Sequence, residues 1–283
     1  MARSPQRRGH PHFGMAAGRL IASIGRWLQP VRPKLLPGIV VVGAQKAGTS
    51  ALFTMLASHP KVVPPRIKEL DFFGNDEHYA LGFGWYRRRL PAKPWQGQGF
   101  VSLDATPGYL PHPLAAQRIK NDLGDVVIAM ILRDPVKRAH SDWNMFHQFQ
   151  GHHKYGHLYD ARTFERAVED ELAASEPTTH YVDRGHYAPQ VRRYFEVFGW
   201  ERVLVFGYPQ FKRDAASVYG AIERAAGLPP RSADQAPKRT KANVRTYEAP
   251  LSESMRQRLV EHYKPHRAEL DALLGHQLDL DER

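Results

Sequence analysis

Lys46 sits inside a glycine-framed loop, Gly43-Ala44-Gln45-Lys46-Ala47-Gly48, and two hydroxyl residues, Thr49 and Ser50, follow at once. A cation, small residues and hydroxyls in this order are suited to holding a phosphate. The glycines permit a tight turn and close backbone approach to an anion. In nucleoside triphosphatases the lysine follows the second glycine and the next hydroxyl holds magnesium. Here Lys46 lies within the loop and Thr49 follows Gly48. The displaced lysine favours a metal-free phosphate site over a magnesium–triphosphate site. The bland alternative is a glycine-rich turn between a strand and a helix, with no ligand.

A second group that can do this chemistry is Arg133-Asp134-Pro135, with Ser141 further along. A guanidinium at a strand end can grip a phosphate with two parallel hydrogen bonds. Pro135 opens a helix, and Ser141 falls about two turns on, where its hydroxyl can face the same anion. A nucleotide with phosphates at both ends of its ribose fits two such sites. Taken alone, the segment is equally well read as a capped helix with surface charges.

These groups need elements to hold them. Ile39–Val42 is a short β-branched run, as expected of a strand covered on both faces. Val126–Leu132 is the strongest buried strand, with further strands at Phe100–Asp104 and Arg202–Phe206. Helical spacing marks residues near 49–58, 112–121, 136–149, 163–174, 187–198 and 214–226. Residues 252–274 read as a helix that Pro265 should end or kink. The alternation predicts an α/β fold: one domain with a P-loop-type parallel sheet and helices on both faces. Ligands of such sheets bind beyond the carboxyl ends of the strands, where both anion groups fall.

The chain has 283 residues, 42% of them hydrophobic, which is ample for one core. It has no cysteine, which excludes disulfides, cysteine nucleophiles and thiolate metal sites. The net charge is +11, and residues 1–36 hold seven basic residues and no acidic one. The boundary therefore falls at 36/37: a basic leader over 1–36 and the α/β domain over 37–283. The domain itself is only mildly basic and lacks the basic stripe with stacking aromatics expected of a nucleic-acid binder. Leu20, Ile21, Ile24, Trp27 and Leu28 form one helical face of the leader. That face suits an anionic membrane surface, docking on the domain, or a frayed tail. No apolar run reaches the ~18 residues of a spanning helix. Arg26 interrupts the apolar stretch and no small-x-small cleavage site follows, so the leader does not read as a signal peptide. The expected location is the cytoplasm, with contact to the inner face of a membrane through the leader.

Four segments in order carry a resemblance: Gly43–Ser50, Lys68-Glu69-Leu70-Asp71-Phe72-Phe73, Thr106-Pro107-Gly108-Tyr109-Leu110, and Leu132–Pro135 with Ser141. Together they resemble the sulfotransferases that use 3′-phosphoadenosine 5′-phosphosulfate (PAPS), nearest to the heparan-sulfate type and its bacterial counterparts. The resemblance runs from about residue 37 to the C-terminal helix. It implies that Gln45, Lys46, Ala47, Gly48, Thr49 and Ser50 hold the 5′-phosphosulfate, with Lys46 near the bridging oxygen. It implies that Arg133 and Ser141 bind the 3′-phosphate and that Glu69 is the general base. Lys241, in the basic loop 238–243, would belong to a lid over the cofactor. The implied reaction is in-line transfer of a sulfuryl group to a hydroxyl, or in second place an amine, without a metal. The acceptor would be a carbohydrate, a glycolipid or another small molecule. Heparan-type enzymes commonly have Glu-Lys before the Ser/Thr-Pro-Gly-Tyr turn, where this chain has Asp104-Ala105. The missing cation argues against an acidic polymer. Asp104 is then a candidate to bond a neutral acceptor, to orient another side chain or to act as an alternative base.

Other residues stay open. Glu69 taken alone is as well read as a surface carboxylate paired with Lys68 or Arg66. Tyr79, Trp85, Tyr86 and Tyr109 would line an acceptor groove or fill the core. His152, His153, His157 and Asp160 invite a metal, but their segment has no clear helical frame and reads better as a loop over the acceptor cleft. Two other functions fit the loop less well: a P-loop kinase, and a non-catalytic peripheral membrane protein that binds a nucleotide.

Overall fold

The computed structural model describes residues 32–95, 98–175, 179–232, 235, 237 and 250–281. The apolar face of the leader and Lys241 lie outside the described residues. The central sheet has four parallel strands in the order β2-β1-β3-β4. These are β1 (Pro37–Gly43), β2 (Ser102–Ala105), β3 (Val127–Leu132) and β4 (Val203–Gly207). β3 is buried at every position. Each fully buried Val, Ile or Leu contributes roughly 1.5–3 kcal/mol. The continuous apolar runs reflect a sheet covered on both faces.

The helices follow from the strand order. From β1 the chain turns outward to β2 through α1 (Thr49–Ala57), α2 (Asp76–Ala80) and α3 (Phe83–Arg89). It then returns across β1 to β3 through α4 (Ala115–Leu123). Right-handed crossovers place α1 on one face and α4 on the other. α5 (Pro135–His147), α6 (Phe164–Ala173) and α7 (Tyr187–Phe198) lead to β4. α8 (Tyr208–Arg213), α9 (Ala215–Ala225) and α10 (Glu253–Leu274) complete the chain. α1 packs with α9, while α4 and α10 pack with α7. The direction reverses between β1 and β3, so the crevice beyond their carboxyl ends is the topological switch point where such sheets bind ligands.

Two sequence expectations change. The short helices α2, α3 and α8 were not read from the pattern. α10 runs through Pro265 instead of ending there. Met255, Leu259, Tyr263 and Leu270 bury one face of that helix, and Tyr263 donates a hydrogen bond to the Val182 carbonyl at 2.7 Å. Packing outweighs the lost backbone bond, and Pro265 itself faces solvent.

A second apolar cluster joins α5, α6 and α10 through Trp143, Phe164, Val168, Tyr181, Leu259 and Tyr263. Glu171 is buried beneath it and accepts the backbone N–H groups of Tyr181, Val182 and Asp183 at 2.7–2.9 Å. Burial raises the pKa of Glu171, and the three N–H donors oppose the rise. One carboxylate thus fixes the turn that delivers Arg184 and His186.

Candidate functional site

The loop after β1 takes the shape a phosphate needs. Lys46 has φ 71° and Gly48 has φ 88°. A Cβ on Gly48 would lie 3.0 Å from Tyr208 Cε2, so the position is closed to side chains by conformation and by space. α1 opens at Gly48 with no side-chain cap and no acidic residue in its first turn. Its first N–H groups have no acceptor within the helix, and the dipole adds positive potential. Left-handed backbone at a lysine is uncommon and persists where surrounding structure enforces it.

The second group meets the first across the switch point. Arg133 Nη1 donates to the Lys46 carbonyl oxygen at 3.1 Å. The guanidinium stands 5.1 Å from the Tyr208 ring centroid. Tyr187 donates to the Arg133 carbonyl at 2.9 Å. Asp134 caps α5 by accepting Lys137 N–H at 2.8 Å, with Pro135 at its first turn. Ser141 lies two turns along α5, 9% exposed.

A charged chain locks the loop from behind, and sequence reasoning missed it. Gln45 Oε1 accepts from Arg184 Nη1 at 2.7 Å. The same Nη1 lies 3.5 Å from Asp142 Oδ2, and Asp142 pairs with Arg138 at 3.1 Å. Arg138 and Asp142 are both buried, and Arg138 also donates to the Tyr181 carbonyl. Burial lowers the pKa of Arg138, the Asp142 charge raises it, and the net direction is up. The i,i+4 spacing of Arg138 and Asp142 on α5 was the available signal. Its burial could not be read from a surface-like charge pattern.

The segment holding Glu69 lies over the carboxyl end of β2. Phe72 N–H donates to Tyr109 Oη at 3.1 Å, and Asp71 N–H approaches Thr106 Oγ1 at 3.5 Å. Glu69 has φ 63° and Asp71 φ 48°, so the chain turns sharply here between buried Leu70 and Phe72. The Glu69 side chain is 52% exposed and pairs with Lys68, one of the two partners its sequence suggested. Its carboxylate is open to solvent, and no bond joins it to the Lys46 loop among the described residues.

Asp104 and Tyr109, expected as acceptor contacts, are fully buried. Asp104 Oδ2 accepts from Tyr86 and Tyr109, each at 2.9 Å, and Oδ1 accepts from Thr106 at 2.8 Å. Both oxygens are committed within the chain, which favours the orienting role among the three the sequence offered for Asp104. Burial raises its pKa, its three hydroxyl donors resist the rise, and the Asp71 charge adds to it. Burial first, then the Asp104 charge, pushes the Tyr86 and Tyr109 hydroxyls well above the ordinary phenol range. They remain donors. Tyr86 and Tyr109 are core, whereas Tyr79 and Trp85 are half-buried. Phe72 stacks on Trp85, which stacks on His78.

The loop histidines do not form a ligand set with Asp160. Asp160 accepts from Arg162 Nε at 2.9 Å, from Arg162 Nη2 at 2.6 Å and from Tyr181 Oη at 3.0 Å. His152 Nδ1 faces the N–H groups of Lys154 and Tyr155. A different trio, His186, His262 and His266, brings its ring nitrogens within 4.8 Å of one another. Distance in sequence hid it.

Known proteins resemble this chain in sequence and in fold. Residues 36–269 match the family model described as a sulfotransferase domain. The human heparan sulfate glucosamine 3-O-sulfotransferase 5 is 28% identical over 198 residues, covering 69% of this chain and 55% of that protein. The membrane-associated sulfotransferase kil1 of Dictyostelium discoideum is 31% identical over 60% of this chain and 34% of its own length. The chain spans about half the length, or less, of these curated relatives. A sulfotransferase from Alicyclobacillus acidocaldarius, 27% identical, superposes with TM-score 0.65 over 86% of this chain and 97% of its own. Mouse sulfotransferase SULT7A1, solved with PAP, shares the fold at TM-score 0.53 and 14% identity, over 84% of this chain and 86% of its own.

Proposed function

The chain belongs to the sulfotransferase family, and from that premise we propose that it transfers a sulfuryl group from PAPS to a hydroxyl of a carbohydrate, glycolipid or other small acceptor. The observation that carries this reading is the 3.1 Å bond from Arg133 to the Lys46 carbonyl, which ties two anion-binding segments together at the switch point. A nucleotide with phosphate groups on both the 5′ and the 3′ positions uses both; an ordinary triphosphate uses one. The donor set fits such a cofactor: Lys46, an uncapped helix N-terminus and Arg133 offer positive charge, and the first turn of α1 offers no opposing carboxylate. Lys46 and Arg133 are each half-buried.

When bound, PAPS supplies an activated sulfuryl group with a phosphate as its leaving group. The N–H groups of Gly48, Thr49 and Ser50, with Gln45, Ala47 and the Ser50 and Thr49 hydroxyls nearby, hold the 5′ end. Lys46 puts positive charge where the reaction builds negative charge, the role a metal plays in many phosphoryl transfers. Arg133 and the Ser141 hydroxyl would hold the 3′ end, with Lys241, outside the described residues, kept from the sequence as a further cofactor contact. Glu69 accepts the proton of the acceptor hydroxyl. Its exposure and its left-handed backbone support this role, because both present the carboxylate to a substrate arriving from solvent. A neutral acceptor suits the lack of the heparan-type lysine, whose place Ala105 takes.

Incubation with sulfur-labelled PAPS and separate polysaccharide, lipid and soluble extracts, in the presence of chelator, tests this. Label is expected in a carbohydrate-bearing or small hydroxylated product. Labelled sulfate alone in every extract, with PAPS consumed at the uncatalysed rate, would contradict the reading.

A further inference from the structure

We propose that His186, His262 and His266 form a binding site for one divalent transition-metal ion, outside the sulfuryl-transfer site. His262 and His266 are four apart on α10 and therefore project from one face. His186, at the start of α7, completes the trio from another element. His186 Nε2 stands 2.9 Å from His262 Nε2, the His186 and His266 ring centroids are 4.0 Å apart, and one ring nitrogen from each of the three lies within 4.8 Å of the other two. Three imidazole nitrogens bound tetrahedrally at ~2.1 Å lie ~3.4 Å apart. The 2.9 Å nitrogen contact and the 4.8 Å limit bracket that value.

The tautomers suit a cation. His186 Nδ1 faces Asp183 Oδ1 at 3.5 Å. A proton on Nδ1 toward that carboxylate leaves the Nε2 lone pair directed at the other two rings. Ligating histidines are commonly oriented by a carboxylate on the far nitrogen in this manner. A hydrogen-bonded histidine pair would explain two of the rings and leave the third unaccounted for. Nitrogen donors select Zn²⁺, Co²⁺, Ni²⁺ or Cu²⁺ over Mg²⁺ and Ca²⁺. Three protein ligands leave a fourth position for water, and all three rings are half-exposed, so an ion can enter from solvent.

The ion would clip α10 to the turn that Glu171 holds. His186 follows Arg184 by two residues, and Arg184 bonds Gln45 in the phosphate loop. The site is therefore placed to stiffen that loop's support without contacting a reacting atom.

The test is calorimetric titration of the chelator-stripped full chain with ZnCl₂, repeated with CoCl₂ and read by visible absorption. One ion per chain is expected, with an upward shift in Tm. Affinity should fall at least tenfold in His262→Ala and in His266→Ala and stay unchanged in a His152→Ala/His157→Ala control. Histidine modification by diethyl pyrocarbonate, mapped by mass spectrometry on the unaltered chain, guards against variants that misfold. Added zinc should protect His186, His262 and His266. No saturable binding, binding retained in the His262→Ala/His266→Ala pair, or protection at His152, His153 and His157 instead would overturn the proposal.

Discussion

Glu69 and Asp104 are two acidic residues near one edge of the sheet with opposite environments. Glu69 is half-exposed beside Lys68, while Asp104 is fully enclosed by three hydroxyls. The first is open to solvent and the second is not, which is why the proposed base is Glu69. Glu69→Gln is expected to leave adenosine 3′,5′-bisphosphate affinity intact while sulfuryl transfer falls at least ~100-fold, the usual scale of general-base catalysis. Unchanged transfer would remove Glu69 as the base. Asp104→Ala leaves two buried tyrosine hydroxyls without their acceptor. A loss of about 3 kcal/mol or more in denaturant unfolding is expected, with Asp104→Asn milder because its amide oxygen still accepts. The residue types at 69 and 104 were plain in the sequence. Which one was buried was not, because burial depends on how the 69–73 segment folds onto Tyr109.

The phosphate loop and its supports act as elements. Gly48→Ala forces a side chain into left-handed backbone and toward Tyr208. The conformational cost is roughly 1–2 kcal/mol, so bisphosphate affinity should fall by about tenfold, read by titration. On the far side, Asp160 stands between Arg162 and Tyr181. Burial raises its pKa, the Arg162 and Tyr181 hydrogen bonds lower it further, and the net shift is downward. A depressed carboxylate stabilises the fold above its unfolded pKa, and that contribution is lost as pH falls through the folded value. Asp160→Asn should therefore be less stable than the parent at neutral pH. The gap should begin to narrow below about pH 4, the ordinary aspartate value, and close only at lower pH, beneath the depressed folded value. A gap that stays constant in acid would refute the assignment.

At this scale, the β-branched runs announced β1 and β3, and helical spacing announced α1, α5, α7 and α9. The supports behind the loop were not legible. Gln45 and Arg184 are 139 residues apart, and no local pattern links them. Pro265 misled because local propensity says nothing of Tyr263 and Leu270 packing on either side of it.

For the whole molecule, order of elements and charge decide the account. A parallel sheet whose direction reverses between β1 and β3 brings segments 43–50 and 133–141 to one crevice, although they stand far apart in sequence. Alternating strands and helices made that architecture readable; the strand order, which decides what meets what, needed the structure. No helix among the described residues is long and apolar enough to cross a membrane. The seven basic residues of 1–36 remain the feature suited to an anionic surface. The full chain should co-sediment with phosphatidylserine vesicles at low salt and release at high salt, and a chain lacking residues 1–31 should not; equal behaviour of the two would refute a role for the leader. The central claim is that one crevice holds a nucleotide phosphorylated at both 5′ and 3′ positions. Calorimetric titration of the full chain with adenosine 3′,5′-bisphosphate and, separately, with magnesium–ATP tests it most directly. The account predicts saturable binding of the bisphosphate in the presence of chelator, lost in Arg133→Ala, and at most weak binding of magnesium–ATP. Tight magnesium–ATP binding with no binding of the bisphosphate would contradict it.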